Sequence, residues 1–213
     1  MGRSALQARR RADNLQEILD AARELVLSDG PGALTLGAVA AKVGVSTPAL
    51  YHYFDNKKAL LQALILEAVS VEADVLVATA EGWRGPEPDV VGGVVRAMYD
   101  HYRPNLSRFR LIYLLIQSAP DQMGLDADLL PRLHPHSKRM FDALEAVLVR
   151  GKKAGTVSKK ISPRTAVVSA HMAAVGMLTM IALAERAADP LRQGDEHLIA
   201  SLSELLRSGV RAR

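Results

Sequence analysis

A chain of 213 residues, 49% of them apolar and none of them cysteine, can bury a sizeable core and excludes both a disulfide framework and a thiolate metal site. Aromatics make up only 4% of it, period-two alternation is hard to find, and good helix formers are plentiful, so an all-α protein is expected. The formal net charge is +4, and Arg3, Arg9, Arg10 and Arg11 all precede the first acid, Asp13. That clustering predicts a flexible basic arm over residues 1–12, of a kind attracted to nucleic-acid phosphate.

The first dozen residues are polar and basic, so no secretory signal is expected and a cytoplasmic location is. A first helix is predicted from Asp13 to Ser28, with Leu15, Ile18, Leu19, Ala22, Leu25 and Val26 on one face and Gly30-Pro31-Gly32 stopping it. Two very short helices follow. Thr35 can cap the first, which buries Leu36, Val39, Ala40 and Val43 and ends at Gly44. Ser46 or Thr47 can cap the second, with Pro48 in its first turn and Leu50 and Phe54 facing inward. Val45 joins that inward set.

Asp55-Asn56 breaks the pattern, and a long helix is expected from Lys57 towards Ala80 with Leu60, Leu61, Leu64, Ile65, Ala68, Val71 and Val75 as its stripe. Residues 81–88 read as a linker. Further helices are predicted at 89–103, 105–118, 137–154, 163–187 and 195–211, with a weaker turn at 126–133. Thr165 to Leu183 lacks Asp, Glu, Lys and Arg, but Ser169, His171, Gly176 and Thr179 interrupt it. It reads as a core or subunit-interface helix, so no membrane partner is expected.

Residues 36–54 thus spell helix, glycine turn, helix. The pattern leaves Ser46, Thr47, Pro48, Tyr51, His52 and Tyr53 on the outer side, as an element entering a major groove by its N-terminal end requires. Thr35 and Lys57 open the flanking helices, where free amides and positive charge favour a phosphate. Residues 13–66 resemble the N-terminal domain of the TetR family, and Leu50-Tyr-His-Tyr-Phe-Asp-Asn-Lys-Lys-Ala-Leu-Leu61 resembles its signature; Thr35, Gly44-Val-Ser46 and Lys57 also fall at matching positions. Pro48-Ala49 departs from the glycine or polar residue that many members carry. The resemblance implies an N-terminal three-helix helix-turn-helix DNA-binding domain joined to a larger helical ligand-binding and dimerisation domain. It also implies that Thr35, Ser46, Thr47, Pro48, Tyr51, His52, Tyr53 and Lys57 contact DNA.

The expected domains are an arm at 1–12, the DNA-binding domain at 13–56 and the larger domain at 57–213. By the same resemblance the last two helices would form a homodimer, the small face Ala166, Ala170, Ala173 and Ala174 admitting a partner beside Leu198, Leu202, Leu205 and Leu206. Polar or aromatic side chains on apolar helices are the candidates for an effector pocket: Tyr99, Tyr102, Phe109, Tyr113, Gln117, Phe141, His171, Met172 and Met180.

The functional expectation is a ligand-responsive transcriptional regulator, a repressor released from double-stranded operator DNA by a small, largely apolar effector. No cofactor or metal is expected; His134-Pro-His136 lacks the further ligands that a tetrahedral site needs. The alternative is a small helical enzyme or adaptor acting on a hydrophobic molecule, for which neither a phosphate-cradling glycine loop nor a Gly-x-Ser-x-Gly elbow is present.

Overall fold

A computed structural model describes residues 3–115, 127–187 and 194–212. Its elements are α1 (Arg3–Asp29), α2 (Leu36–Val43), α3 (Thr47–Tyr51), α4 (Lys57–Glu81), α5 (Val90–Tyr102), α6 (Leu106–Phe109), a π-helical turn (Arg110–Leu115), α7 (Leu129–Ala154), α8 (Pro163–Ala187) and α9 (Asp195–Val210). Among the described residues the only extended pairing is a single antiparallel bridge, Val157 to Arg211. It pins the α7–α8 connection to the chain end, with the Ser158 amide on the Val210 carbonyl at 2.9 Å and the Ala212 amide on Thr156 at 3.0 Å.

Three elements differ from the sequence expectation, and one is the helix expected at 105–118, which among the described residues is the four-residue α6 followed by the π-helical turn. α1 starts at Arg3 rather than Asp13, so the basic segment expected as an arm is helical. Residues 3–12 hold neither Gly nor Pro and are rich in Ala, Arg, Leu and Gln, which favour helix wherever an adjoining helix supplies the nucleus. α7 starts at Leu129 rather than 137 and absorbs the weak turn before it. Pro131 lies in its first turn, where an amide hydrogen has no partner to lose, and Pro135 sacrifices one internal bond.

Two cores organise the molecule. The first packs α1, α2 and α3 onto the start of α4 through Ile18, Ala22, Val39, Leu50, Leu60 and Leu64. Leu111 of the π turn and Leu129 of α7 complete it, so its packing crosses the expected boundary at 56/57. The second joins α4, α5, α7 and α8 through Leu76, Val94, Met98, Leu144, Leu148 and Leu178. In the second half of α4 the buried stripe drifts: Glu72, Ala73, Leu76 and Ala80 are buried, while Val71 and Val75 are half-exposed. An α-helix does not repeat at seven residues, so a face drifts along its length. Arg23 of α1, itself buried, ties the two halves by donating to Asp20 and, at 3.0 Å, to Glu67 of α4.

The alanine face of α8 turns inward. Ala170 and Ala174 are fully buried and Ala166 packs on the same core, so these residues admit α5 of their own chain rather than a partner. The outer face carries Thr165, Ser169, Met172, Gly176, Met180 and Leu183, all exposed and spaced by three or four residues. By length and composition Pro163–Ala184 is apolar enough to cross a membrane, at mean hydropathy 1.9.

The turn between α2 and α3 depends on Gly44, whose φ of 77° lies in the left-handed region. Gly44→Ala is expected to destabilise the fold by about 1–2 kcal/mol, since a Cβ there crowds the following carbonyl. Urea unfolding of the two proteins checks this.

Candidate nucleic-acid interface and effector site

α2 and α3 are held as a unit by local chemistry. The Thr35 hydroxyl accepts from the Ala38 amide at 3.0 Å, starting α2. Gly44 closes α2 through its own amide, and Leu50 and Phe54, both buried, hold α3 down. A helix of five residues has no stability of its own, so these two anchors fix its pose.

What the anchors leave outside is polar. Ser46, at the cap position of α3, has no capping bond from its side chain, and Ser46, Thr47, Pro48 and His52 are exposed. Tyr51 is 56% exposed. Thr35 and Thr47 face each other across Gly37: a Cβ built there would lie 4.0 and 3.9 Å from their hydroxyl oxygens. Six sequence candidates thus share one solvent-facing surface.

Two others are more engaged. Lys57, half-buried, points its ammonium at the Gly32 carbonyl at 3.4 Å, closing the α1–α2 loop onto the start of α4. Tyr53 is half-buried between α1 and α3, with its hydroxyl 3.5 Å from the Asn14 amide. Val45, expected inside, is exposed, because the glycine turn swings it out.

In the larger domain the sequence candidates divide. Tyr102, Phe109, Tyr113, Phe141 and His171 come together: Tyr102 meets Phe109 edge-on at 5.4 Å, Phe109 stacks on Tyr113 at 5.0 Å, and Phe141 meets His171 at 5.5 Å. Tyr99 lies apart; its hydroxyl donates to Asp195 of α9 at 2.9 Å, and burial with the Asp195 carboxylate raises its pKa. Met172 is no member of this cluster. It is 68% exposed on the outer face of α8, on the side of the helix away from Ala170 and Ala174. Met180 is likewise exposed, and Gln117 lies outside the described residues.

The centre of the cluster is a residue that sequence reasoning missed, Glu72. Its carboxylate accepts from the Tyr102 hydroxyl at 2.5 Å, the Tyr113 hydroxyl at 2.8 Å and His171 Nε2 at 2.8 Å. A carboxylate has no hydrogen to give, so Nε2 carries the proton of that last bond. Burial alone would raise the Glu72 pKa; the His171 hydrogen bond and charge, with the two phenols, outweigh it and bring it below 4.5. Burial and the adjacent Glu72 charge push both phenols well above their ordinary value. The available signal was positional: Glu72 stands four residues from both Ala68 and Leu76, within the buried stripe. The cluster joins α4, α5, the π turn and α8 at one point.

Two clefts flank these elements. One, of 590 Å³, is lined by Leu130, Leu133, Ser137, Lys138, Phe141 and Arg164, so its Phe141 wall backs onto His171. The other, of 410 Å³, is an apolar groove between α8 and α9 bounded by Ala166, Ser169, Leu205 and Leu206. Leu205, 70% exposed, stands at its rim.

Comparison with known proteins places these features. Residues 18–64 match the family model of bacterial regulatory proteins of the tetR family. Over 72 residues the chain is 39% identical to the class D tetracycline repressor of Escherichia coli and, equally, to the class H tetracycline repressor of Photobacterium damsela subsp. piscicida. The matched stretch is 33% of this chain and 33% of each relative, so the chain spans about a third of the length of the curated relatives it matches. Solved structures match at full length. A TetR/AcrR transcriptional regulator from Thermobifida fusca YX-ER1 aligns with TM-score 0.69 at 21% identity, over 92% of this chain and 98% of that one. The Bacillus subtilis regulator FadR, solved in complex with stearoyl-CoA, aligns with TM-score 0.73 at 18% identity over 92% and 99%. At such identities the likeness establishes the fold.

Proposed function

We propose that this chain, whose residues 18–64 match the model of bacterial regulatory proteins of the tetR family, is a ligand-responsive transcriptional repressor of that family, binding operator DNA as a homodimer in the cytoplasm. The observation that carries the DNA half is the exposed set Ser46, Thr47, Pro48, Tyr51 and His52 on a short helix held by Leu50 and Phe54. Thr47 and Pro48 lead into the groove and read base edges and the thymine methyl, while Thr35, Tyr51, His52 and Lys57 hold phosphates. Residues 13–56 supply this head and 57–213 the sensing and dimerising body, a functional division that the shared core packs across.

The partner surface is the outer stripe of α8 with the groove beside α9, continuous apolar ground with few charges, read here as a subunit contact rather than a membrane span. The effector is small and largely apolar. It enters by the cleft at Phe141 and is read by the Glu72–His171 cluster, which touches the helix that carries the head. Differential affinity for two head spacings moves the population off the operator, since two heads reach successive major grooves only when about 34–36 Å apart.

The test is a mobility shift on duplexes that the protein selects from a random pool. Lys57→Ala or Tyr51→Ala should weaken binding for every sequence and lower the salt dependence by about one unit of slope, whereas Thr47→Ala should change which bases are preferred. Failure of the wild type to hold any duplex at low salt rejects the DNA-binding reading. An effector that saturates the protein yet leaves duplex affinity unchanged rejects the release mechanism.

A further inference from the structure

We propose that the first turns of α1 form a second DNA contact, in which Arg11 grips a phosphate beside the groove that α3 enters and Tyr53 positions it rather than touching DNA. The inference rests on the DNA-binding reading above and extends it to residues outside the helix-turn-helix.

Gln7, Arg11, Asn14, Ile18 and Ala22 follow one another at steps of four and three residues, so they form one face of α1. From Ile18 onward that face is buried in the head's core; before it the helix overhangs the core and the face is exposed. At the point of transition the face meets Tyr53. The Arg11 guanidinium lies over the Tyr53 ring, 5.9 Å from its centroid, and one turn later Asn14 reaches the Tyr53 hydroxyl.

A guanidinium held over an aromatic face by a cation–π contact keeps its N–H donors available to an anion. Among the described residues no carboxylate pairs with Arg9, Arg10 or Arg11, so the charge that Arg11 holds against Tyr53, two residues beyond α3, is uncompensated. An anion is the missing partner. On a surface next to a groove-reading helix, the anion is the phosphodiester backbone flanking the bases that α3 reads. Arg9, half a turn away, projects to the opposite side of α1 and serves as the internal control.

Full-length proteins are compared on the duplex that the wild type selects, across a salt series. Arg11→Ala should lower affinity roughly tenfold and reduce the salt slope by about one, with base preference unchanged, and Arg9→Ala should do neither. Tyr53→Phe, which keeps the ring, should bind like the wild type. Tyr53→Ala should match Arg11→Ala, and the double variant should lose no more than either single one, the signature of one shared function.

Loss of binding in Tyr53→Phe would mean that the hydroxyl itself meets DNA and would overturn the positioning role. Additive losses, or an Arg11→Ala protein with wild-type affinity and slope while Lys57→Ala is impaired, would overturn the second contact and leave the helix-turn-helix reading standing. If Lys57→Ala and Tyr51→Ala are silent as well, it is the underlying reading that fails.

Discussion

Replacing Glu72 by alanine is expected to lower the midpoint of thermal unfolding by about 10 °C. The substitution leaves the Tyr102 and Tyr113 hydroxyls and the His171 ring nitrogen facing a void with nothing to accept their hydrogens. Breaking a buried charged network by removing one partner costs about 3–5 kcal/mol, and each kcal/mol moves the midpoint of a protein this size by about 2–4 °C. Adding Tyr102→Phe and Tyr113→Phe to Glu72→Ala removes two of the orphaned donors and should recover part of the loss. The same carboxylate sets a pH dependence. Its folded pKa lies below the ordinary 4.5, so its stabilisation is fully present above that value and is lost as the pH falls through the folded one. Wild type should therefore lose stability more steeply than Glu72→Gln as the pH falls below the ordinary carboxylate value of 4.5. A Glu72→Ala midpoint within about 2 °C of wild type would show that the carboxylate is no hub.

A charge at Gly176 should separate subunits without harming the subunit. A Cβ built there meets nothing within 4 Å, so Gly176→Glu is sterically free in the single chain. Exchanging a mid-helix glycine also gains about 0.5–1 kcal/mol of helix stability. Yet the position lies midway along the exposed stripe of α8, between Met172 and Met180. Two glutamates facing each other across a subunit contact are desolvated and repel. The expected result is a monomer by sedimentation, with undiminished helix content and operator affinity lower by on the order of a hundred- to a thousandfold, the cost of losing the second linked head. A dimer that persists in Gly176→Glu would place the subunit contact elsewhere.

Where strong local punctuation bounds an element, the sequence shows it. Pro163 opens α8 at the expected residue, and Gly44 with Thr35 bounds α2 as expected. The faces were harder to read than the boundaries. The alanines of α8 look like a partner face because small residues invite any close neighbour, and periodicity does not say whether that neighbour is α5 or another chain. Leu50 and Phe54 are buried as their spacing implies, but Tyr53 beside them is half-claimed by α1, a tertiary contact with no local signal. Glu72 was hidden for a further reason. A carboxylate counts as solvent-facing in any hydropathy pattern, and only the long-range convergence of Tyr102, Tyr113 and His171 makes its burial tolerable.

Leu111 and Ile112 are consecutive in the π-helical turn, yet Leu111 is buried in the core of the head and Ile112 in that of the body, with Tyr113 next in line on Glu72. One peptide unit thus separates side chains seated in two different cores. The head is therefore a socket that Leu111 and Leu129 plug, and a gene fragment ending at the domain boundary would express the socket without its plug. Such a fragment is expected to present a loosened surface, so the proposed DNA contacts are to be tested with Leu111 and Leu129 present.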